Sequence, residues 1–344
     1  MTYCRYFAIQ LCLVFLLLTS AAFAHHSDTP HFFMDQNIPY EGVITEFKFV
    51  NPHAYVYFDV AQEDGSAAST RCELPAAITL RRLGWTETTF VVGEFVRLNA
   101  SPARREGNHC YLNELVLLDG TVVSREDAGP VLVQEREAVE RPLNLANGQP
   151  NISGDWVAQP RSGPREQNTQ TAGALVAAES FDFVYDHPGL QCESVGITHG
   201  YPFGRFPNRI TQTENIVQII YGYMDLERII HLDQDSHPDN IPSSRAGHSI
   251  GHWQDNVLIV HTSAISEGTM SPINQVMHSD QLEVTERFWY EEQNQTLIHE
   301  YTATDPLFFE NPYNGRDVSD VSAVSYQPYA CEELSGANNI RPEA

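Results

Sequence analysis

The chain has 344 residues, with 45 Asp and Glu against 20 Lys and Arg, for a formal net charge of −25. Phosphate binding needs clustered cations, so this balance argues against a nucleic-acid partner and against a polybasic membrane contact. At 42% hydrophobic and 19% charged, the chain is too apolar to stay disordered, and its length suits two domains that each bury a core.

Residues 1–24 read as a secretory signal peptide. Arg5 is their only charge, Leu11 to Leu18 form an apolar run, and Ala22-Phe23-Ala24 is a small-x-small cleavage signal. The run is short for a membrane span, and polar His25-His26-Ser27-Asp28 ends it. The expectation is a periplasmic or secreted protein that starts at His25, with no transmembrane anchor. Cys4 and Cys12 leave with the signal. Cys72, Cys110, Cys192 and Cys331 remain, and an even number in an oxidising compartment favours disulfides. Three pairings exist; Cys72–Cys110 with Cys192–Cys331 keeps each bridge inside one putative domain. No C-x-x-C spacing supports a zinc site.

The first domain is placed at 25–125. Gly42–Val50 and Ala54–Val60 alternate like strands, Ser69–Leu74 is a third, Ala76–Leu83 reads as a short helix closed by Gly84, and Phe95–Ala100 and Tyr111–Leu118 follow. Three strands, a helix and two strands is the order of a small OB-type barrel. Residues 126–150, with five acids and three prolines, form a linker. The second domain is placed at 151–335, with a flexible tail at 336–344. Residues 159–174 read as a loop. Three hairpins follow: Arg209–Thr213 with Ile216–Tyr223, Ser249–Trp253 with Val257–Thr262, and Gln281–Tyr290 with Thr296–Thr304. They predict an antiparallel meander closed, or nearly closed, as a lipocalin-like barrel, making the chain all-β. Nine arginines against 27 acids leave −18 on residues 151–344, scattered as on a solvated surface.

Chemistry is harder to read. Cleavage after Ala24 would expose the amine and ring of His25 beside His26, and with His53, His31 or His109 as a further ligand these suit copper. Glu286 shares a strand face with Leu282, Val284, Phe288 and Tyr290. If that face lines a barrel, burial should raise its pKa and fit it for acid or base work; a structural ion pair is the alternative. His278 and Asp280 form a second candidate acid/base pair, against the plainer reading of an Asp turn. His248 and His252, together with Tyr301, are candidate ligand contacts. No G-x-S-x-G, G-x-G-x-x-G, Walker or H-E-x-x-H motif occurs, so a nucleotide and a required cofactor have no support.

His25-His26-Ser27, Gly42-Val43-Ile44, Asn51-Pro52-His53-Ala54, Leu83-Gly84-Trp85 and Ser101-Pro102-Ala103-Arg104 resemble an uncharacterised family of exported bacterial proteins with a small β barrel. Ile152-Ser153-Gly154-Asp155-Trp156, Gly247-His248-Ser249-Ile250-Gly251-His252-Trp253, His278-Ser279-Asp280, Thr285-Glu286-Arg287-Phe288 and Tyr329-Ala330-Cys331-Glu332 resemble a second uncharacterised exported module. The resemblance implies a two-part exported β protein and carries over no catalytic residue. The first module usually lacks cysteines at positions 72 and 110, so a bridge there is a local addition.

Three functions follow as expectations. The first is a binding protein whose barrel encloses a small apolar or aromatic molecule, with Glu286, His248 and His278 as polar contacts. The second is a cofactor-independent isomerase, hydratase or lyase using Glu286 or His278. The third is copper handling by the N-terminal histidines. A module that only docks onto a protein partner is a fourth class, with no residue to select the partner.

Overall fold

The computed structural model describes residues 31–332, apart from 63, 117–121, 126–141, 161–168, 203–205, 273 and 323. The chain is all-β, built on two closed barrels. The first uses β1 (Ile38–Lys48), β2 (Ala54–Ala61), β3 (Ala67–Leu74), β4 (Phe95–Pro102) and β5 (His109–Val116), with β6 (Val122–Ser124) on its edge. Helix α1 (Ala77–Arg82) lies between β3 and β4. The ring runs β1-β2-β3-β5-β4, and only β3 and β5 pair in parallel. This is the OB-type order expected from the elements. Alternate residues point inward, and Val56, Phe58, Leu74, Leu98 and Leu112 fill the centre with Leu80 of α1 and Trp85.

The larger barrel takes β7 (Gly154–Ala158), β8 (Asn208–Gln212), β9 (Ile216–Ile220), β10 (Glu227–His231), β11 (His248–Gln254) and β12 (Val257–Ser263). A separate hairpin of β13 (Gly268–Ser271) and β14 (Val276–His278) intervenes. The barrel then continues through β15 (Glu283–Glu291), β16 (Thr296–Thr304) and β17 (Tyr313–Val321). The three predicted hairpins are all present. β10 and β17 were not predicted as strands, and helix α2 (Ala172–Ser180), capped by the Thr171 side chain, overlaps the end of the predicted 159–174 loop.

Nine strands close this ring, and the number has a consequence. Strand directions cannot alternate all the way round an odd ring, so at least one neighbouring pair must be parallel. That pair is β10–β11. A parallel pair needs a crossover of a dozen or more residues; residues 232–247 supply it. The pure antiparallel meander is corrected at this one seam. The five-stranded barrel meets the same parity requirement through β3–β5.

The barrels touch through a short third core. Ile78 of α1 packs with Phe206, Tyr223 and Tyr329. Asn51, buried in the Asn51-Pro52-His53 turn, accepts from the Ile78 amide at 3.1 Å and donates to the Tyr329 carbonyl. Cys72–Cys110 joins β3 to β5 with Cα atoms 4.4 Å apart, and Cys192–Cys331 spans 5.5 Å. These are the two pairings that keep each bridge within one half.

Candidate functional site

The inward residues of the larger barrel are not all apolar. Arg228 on β10 points to the centre and is 1% exposed; Glu286 on β15 and His299 on β16 are 0% exposed. Both guanidinium Nη atoms donate to Glu286, Nη1 at 3.0 Å to Oε1 and Nη2 to Oε2. The remaining donors are also used: Nε reaches Ser249 Oγ at 2.9 Å, Nη2 reaches Thr262 Oγ1 at 2.7 Å, and Nη1 reaches Tyr221 Oη at 3.2 Å. His299 Nε2 lies 3.0 Å from Glu286 Oε1, and its Nδ1 lies 3.6 Å from Asp317 Oδ2 on β17. Phe288 stacks on the imidazole at 4.4 Å, and the Tyr201 ring stands 4.7 Å away. A guanidinium, two carboxylates and an imidazole thus cross the barrel in one chain of contacts.

Their charges interlock. Burial alone would raise the Glu286 pKa, as expected for a carboxyl on an apolar face. The Arg228 charge, followed by the His299 hydrogen bond, outweighs it and holds the group at about 2. The expectation of a raised pKa is corrected, because the cation on the neighbouring wall was not read. Burial disfavours protonated His299, but the Asp317 and Glu286 carboxylates outweigh it and raise its pKa. Tyr221 is pushed up to about 12, chiefly by burial. With His299 protonated the four charged groups sum to zero, which is the condition for tolerating charge in a core. A carboxylate with so low a pKa is a weak base near neutrality.

The linkage signs give a prediction. Glu286 has a depressed folded pKa, so its contribution is present above the ordinary value of 4.5 and is lost as pH falls towards about 2. The sign for His299 is opposite: its contribution is present below 6.5 and is lost as pH rises through the raised folded value. Urea midpoints measured against pH should form a plateau with an acid and an alkaline limb. His299→Gln should remove most of the alkaline limb, and an unchanged limb would refute this assignment.

The predicted residues fall in different places. Tyr301 lines the same interior, 5.4 Å ring to ring from His299; Gly315 opposite it has no side chain, and a Cβ there would overlap the Tyr301 ring. His248 and His252 alternate with inward Ser249 and Gly251, so they lie on the outer wall and do not join Glu286. His278 is buried at the end of β14 and outside the barrel ring. Burial is the leading cause of its lowered pKa. Its carboxylate neighbour is Asp305, which also accepts from the Ser279 amide and hydroxyl at 2.6 and 2.9 Å, while Asp280 is exposed. His53 Nδ1 contacts Glu73 Oε1, and His109 Nε2 lies 3.5 Å from Glu73 Oε2. His25 and His26 lie outside the described residues. Among the described residues, no three His, Cys, Asp or Glu side chains are arranged to hold a metal ion.

Arg228, His299 and Asp317 were missed. The available signal was the same one that marked Glu286, a charged residue on an inward face: Arg228 shares its face with Ile230, and His299 with Leu297 and Tyr301. Among the described residues no helix is long and apolar enough to cross a membrane. A family model described as a family of unknown function, DUF6152, matches residues 14–113, which carry the first four strands and most of the fifth. No curated protein and no solved structure matches the chain.

Proposed function

We propose that the chain is an exported protein whose larger barrel binds a small molecule that offers a hydrogen-bonding group to an aromatic wall. The observation that carries this reading is a set of buried polar atoms beside the charged network. Tyr201 Oη, Ser319 Oγ and His299 Nδ1 are buried and fall short of hydrogen-bond geometry, with Ser319 as the neighbour of Tyr201 and Asp317 Oδ2 3.6 Å from His299 Nδ1. A protein core rarely leaves such capacity unmet without a functional reason, and ligand sites combine apolar walls with a few polar groups. The wall here is Tyr201, Phe288, Tyr301 and Tyr313, with Tyr301 and Tyr313 stacked at 6.3 Å.

Binding is favoured over turnover. Arg228 holds Glu286 as an anion of low basicity, so the carboxylate read as an acid or base is a poor proton acceptor. The two disulfides suit an oxidising compartment, in keeping with the signal peptide read at residues 1–24.

The test is a thermal-shift screen of the purified chain against small aromatic alcohols, phenols and ketones, followed by calorimetry. The best binder should weaken about tenfold with Tyr201→Phe and with Ser319→Ala, the loss of one hydrogen bond of about 1.4 kcal/mol. It should be recovered unchanged after incubation. Affinity indifferent to both substitutions would sink the site, and consumption of the compound would move the reading to an enzyme.

A further inference from the structure

The outer wall holds a second cluster that the interior site does not use. The 232–247 crossover folds back over the barrel seam and lays His237 between two strand histidines. His237 Nδ1 lies 2.8 Å from His248 Nδ1, and its Nε2 lies 2.8 Å from His261 Nδ1. His231 on β10 stacks against His248 at 5.1 Å with the rings 15° apart. On the far side, Glu283 Oε2 is 3.7 Å from His261 Nε2. None of these four rings is fully buried, and each has a route to solvent.

We infer that this histidine cluster is a binding site for a divalent transition-metal ion, with His237 Nε2 and His261 Nδ1 as its first two ligands. Two nitrogens held at about 2.0 Å from one ion and about 90° apart are about 2.8 Å from each other, the cis spacing of the tetragonal geometry that Cu(II) and Ni(II) prefer. The nitrogens of His237 and His261 stand at that separation, joined by a hydrogen bond whose proton the ion displaces as the two rings turn their lone pairs towards it. Glu283 faces the other nitrogen of His261, the place where an outer-shell carboxylate orients a metal-binding imidazole and raises its basicity. Only unprotonated imidazole ligates a metal. Water completes the coordination, or His248 does after a side-chain rotation, since its ring centre is 5.0 Å from that of His237.

The parallel seam explains why the cluster exists. An antiparallel hairpin would leave β10 by a tight turn, whereas the crossover between parallel strands carries an extra imidazole across the wall. This site is separate from the interior one and stands or falls without it.

Cu(II) titration of the purified full chain, read by calorimetry and by electron paramagnetic resonance, tests the inference. One Cu(II) equivalent with at least two imidazole nitrogens should weaken tenfold or more in His237→Ala and in His261→Ala. It should weaken tenfold to a hundredfold in Glu283→Gln. It should persist in His26→Ala, which separates it from any copper held at the N-terminus. His237 sits in a partly exposed crossover, so an unaltered metal-free melting curve for His237→Ala shows that the fold is intact. Equal Cu(II) binding by wild type and His237→Ala, or loss of the equivalent in His26→Ala alone, overturns the inference.

Discussion

Glu286→Gln should destabilise the larger barrel by about 3–5 kcal/mol, because it leaves the Arg228 guanidinium charged and unpaired where nothing else can neutralise it. Arg228→Met should cost a similar amount by stranding the carboxylate. Arg228→Met combined with Glu286→Leu should cost far less than the two single changes summed. The two apolar side chains roughly conserve volume, and the pair left behind, His299 with Asp317, remains neutral. The residual cost falls on Ser249, Thr262 and Tyr221, which lose a donor; Ser249 and Thr262 already lie 2.9 Å apart and can satisfy each other. A double-mutant cycle by urea denaturation therefore reads a coupling of several kcal/mol. Additive effects would mean that Arg228 and Glu286 act independently, and the neutral-chain description of the barrel centre would be wrong.

The missed strands and the missed site have one cause. Strands were read from alternation of apolar and polar residues, and this works where the inward face is apolar, as in Leu258 and Val260 of β12. β17 turns Tyr313, Gly315, Asp317 and Ser319 inward, so it has almost no apolar stripe. β10 is five residues long and turns a cation inward. The strands that carry the polar network thus lose the pattern that reveals strands, and Glu286 was visible only because β15 keeps Val284 and Phe288 around it. The first barrel has no such interior and was legible almost to its strand ends. Neither parallel seam was legible, because pairing partners depend on ring closure. His237 lies in a crossover without periodicity, so its meeting with His248 and His261 is a product of topology.

This separation bears on how the two faces of the larger barrel divide their chemistry. Inside, the buried charges of Arg228, Glu286, His299 and Asp317 are matched. Outside, the imidazoles on the 232–247 seam are partly exposed. β11 carries both faces at once: Ser249 bonds to Arg228 inward while His248 meets His237 outward. A one-residue register slip in β11 would exchange the two sets and destroy both. Gly247, at a φ of 64° where a Cβ would press on the Ser263 carbonyl, holds the entry to that strand.

Cys192→Ala with Cys331→Ala should be the other severe change. The bridge closes 139 residues of sequence, against 38 for Cys72–Cys110. Loop-closure entropy alone gives about 5 kcal/mol for the first and about 4 kcal/mol for the second, with about 2–5 kcal/mol usual when a native bridge is removed. The longer bridge also anchors a junction. Beside it, Asp225 accepts from the amides of Tyr329 and Ala330 at 2.8 and 2.9 Å and from the Tyr326 hydroxyl at 2.6 Å. The Glu332 amide then donates to the Asn51 carbonyl in the first barrel at 2.5 Å. Without the covalent tie, this short segment must hold its place through those bonds, the Asn51 and Asp155 contacts to Tyr329 and Tyr326, and Tyr329 packing. Urea unfolding should show a loss near the upper end of that range, and limited proteolysis should cut at 324–332 before either barrel opens. Cys72→Ala with Cys110→Ala should weaken the first barrel while leaving 324–332 protected. Equal protease resistance in both double variants would show that the Asp225 contacts hold the junction without the bridge.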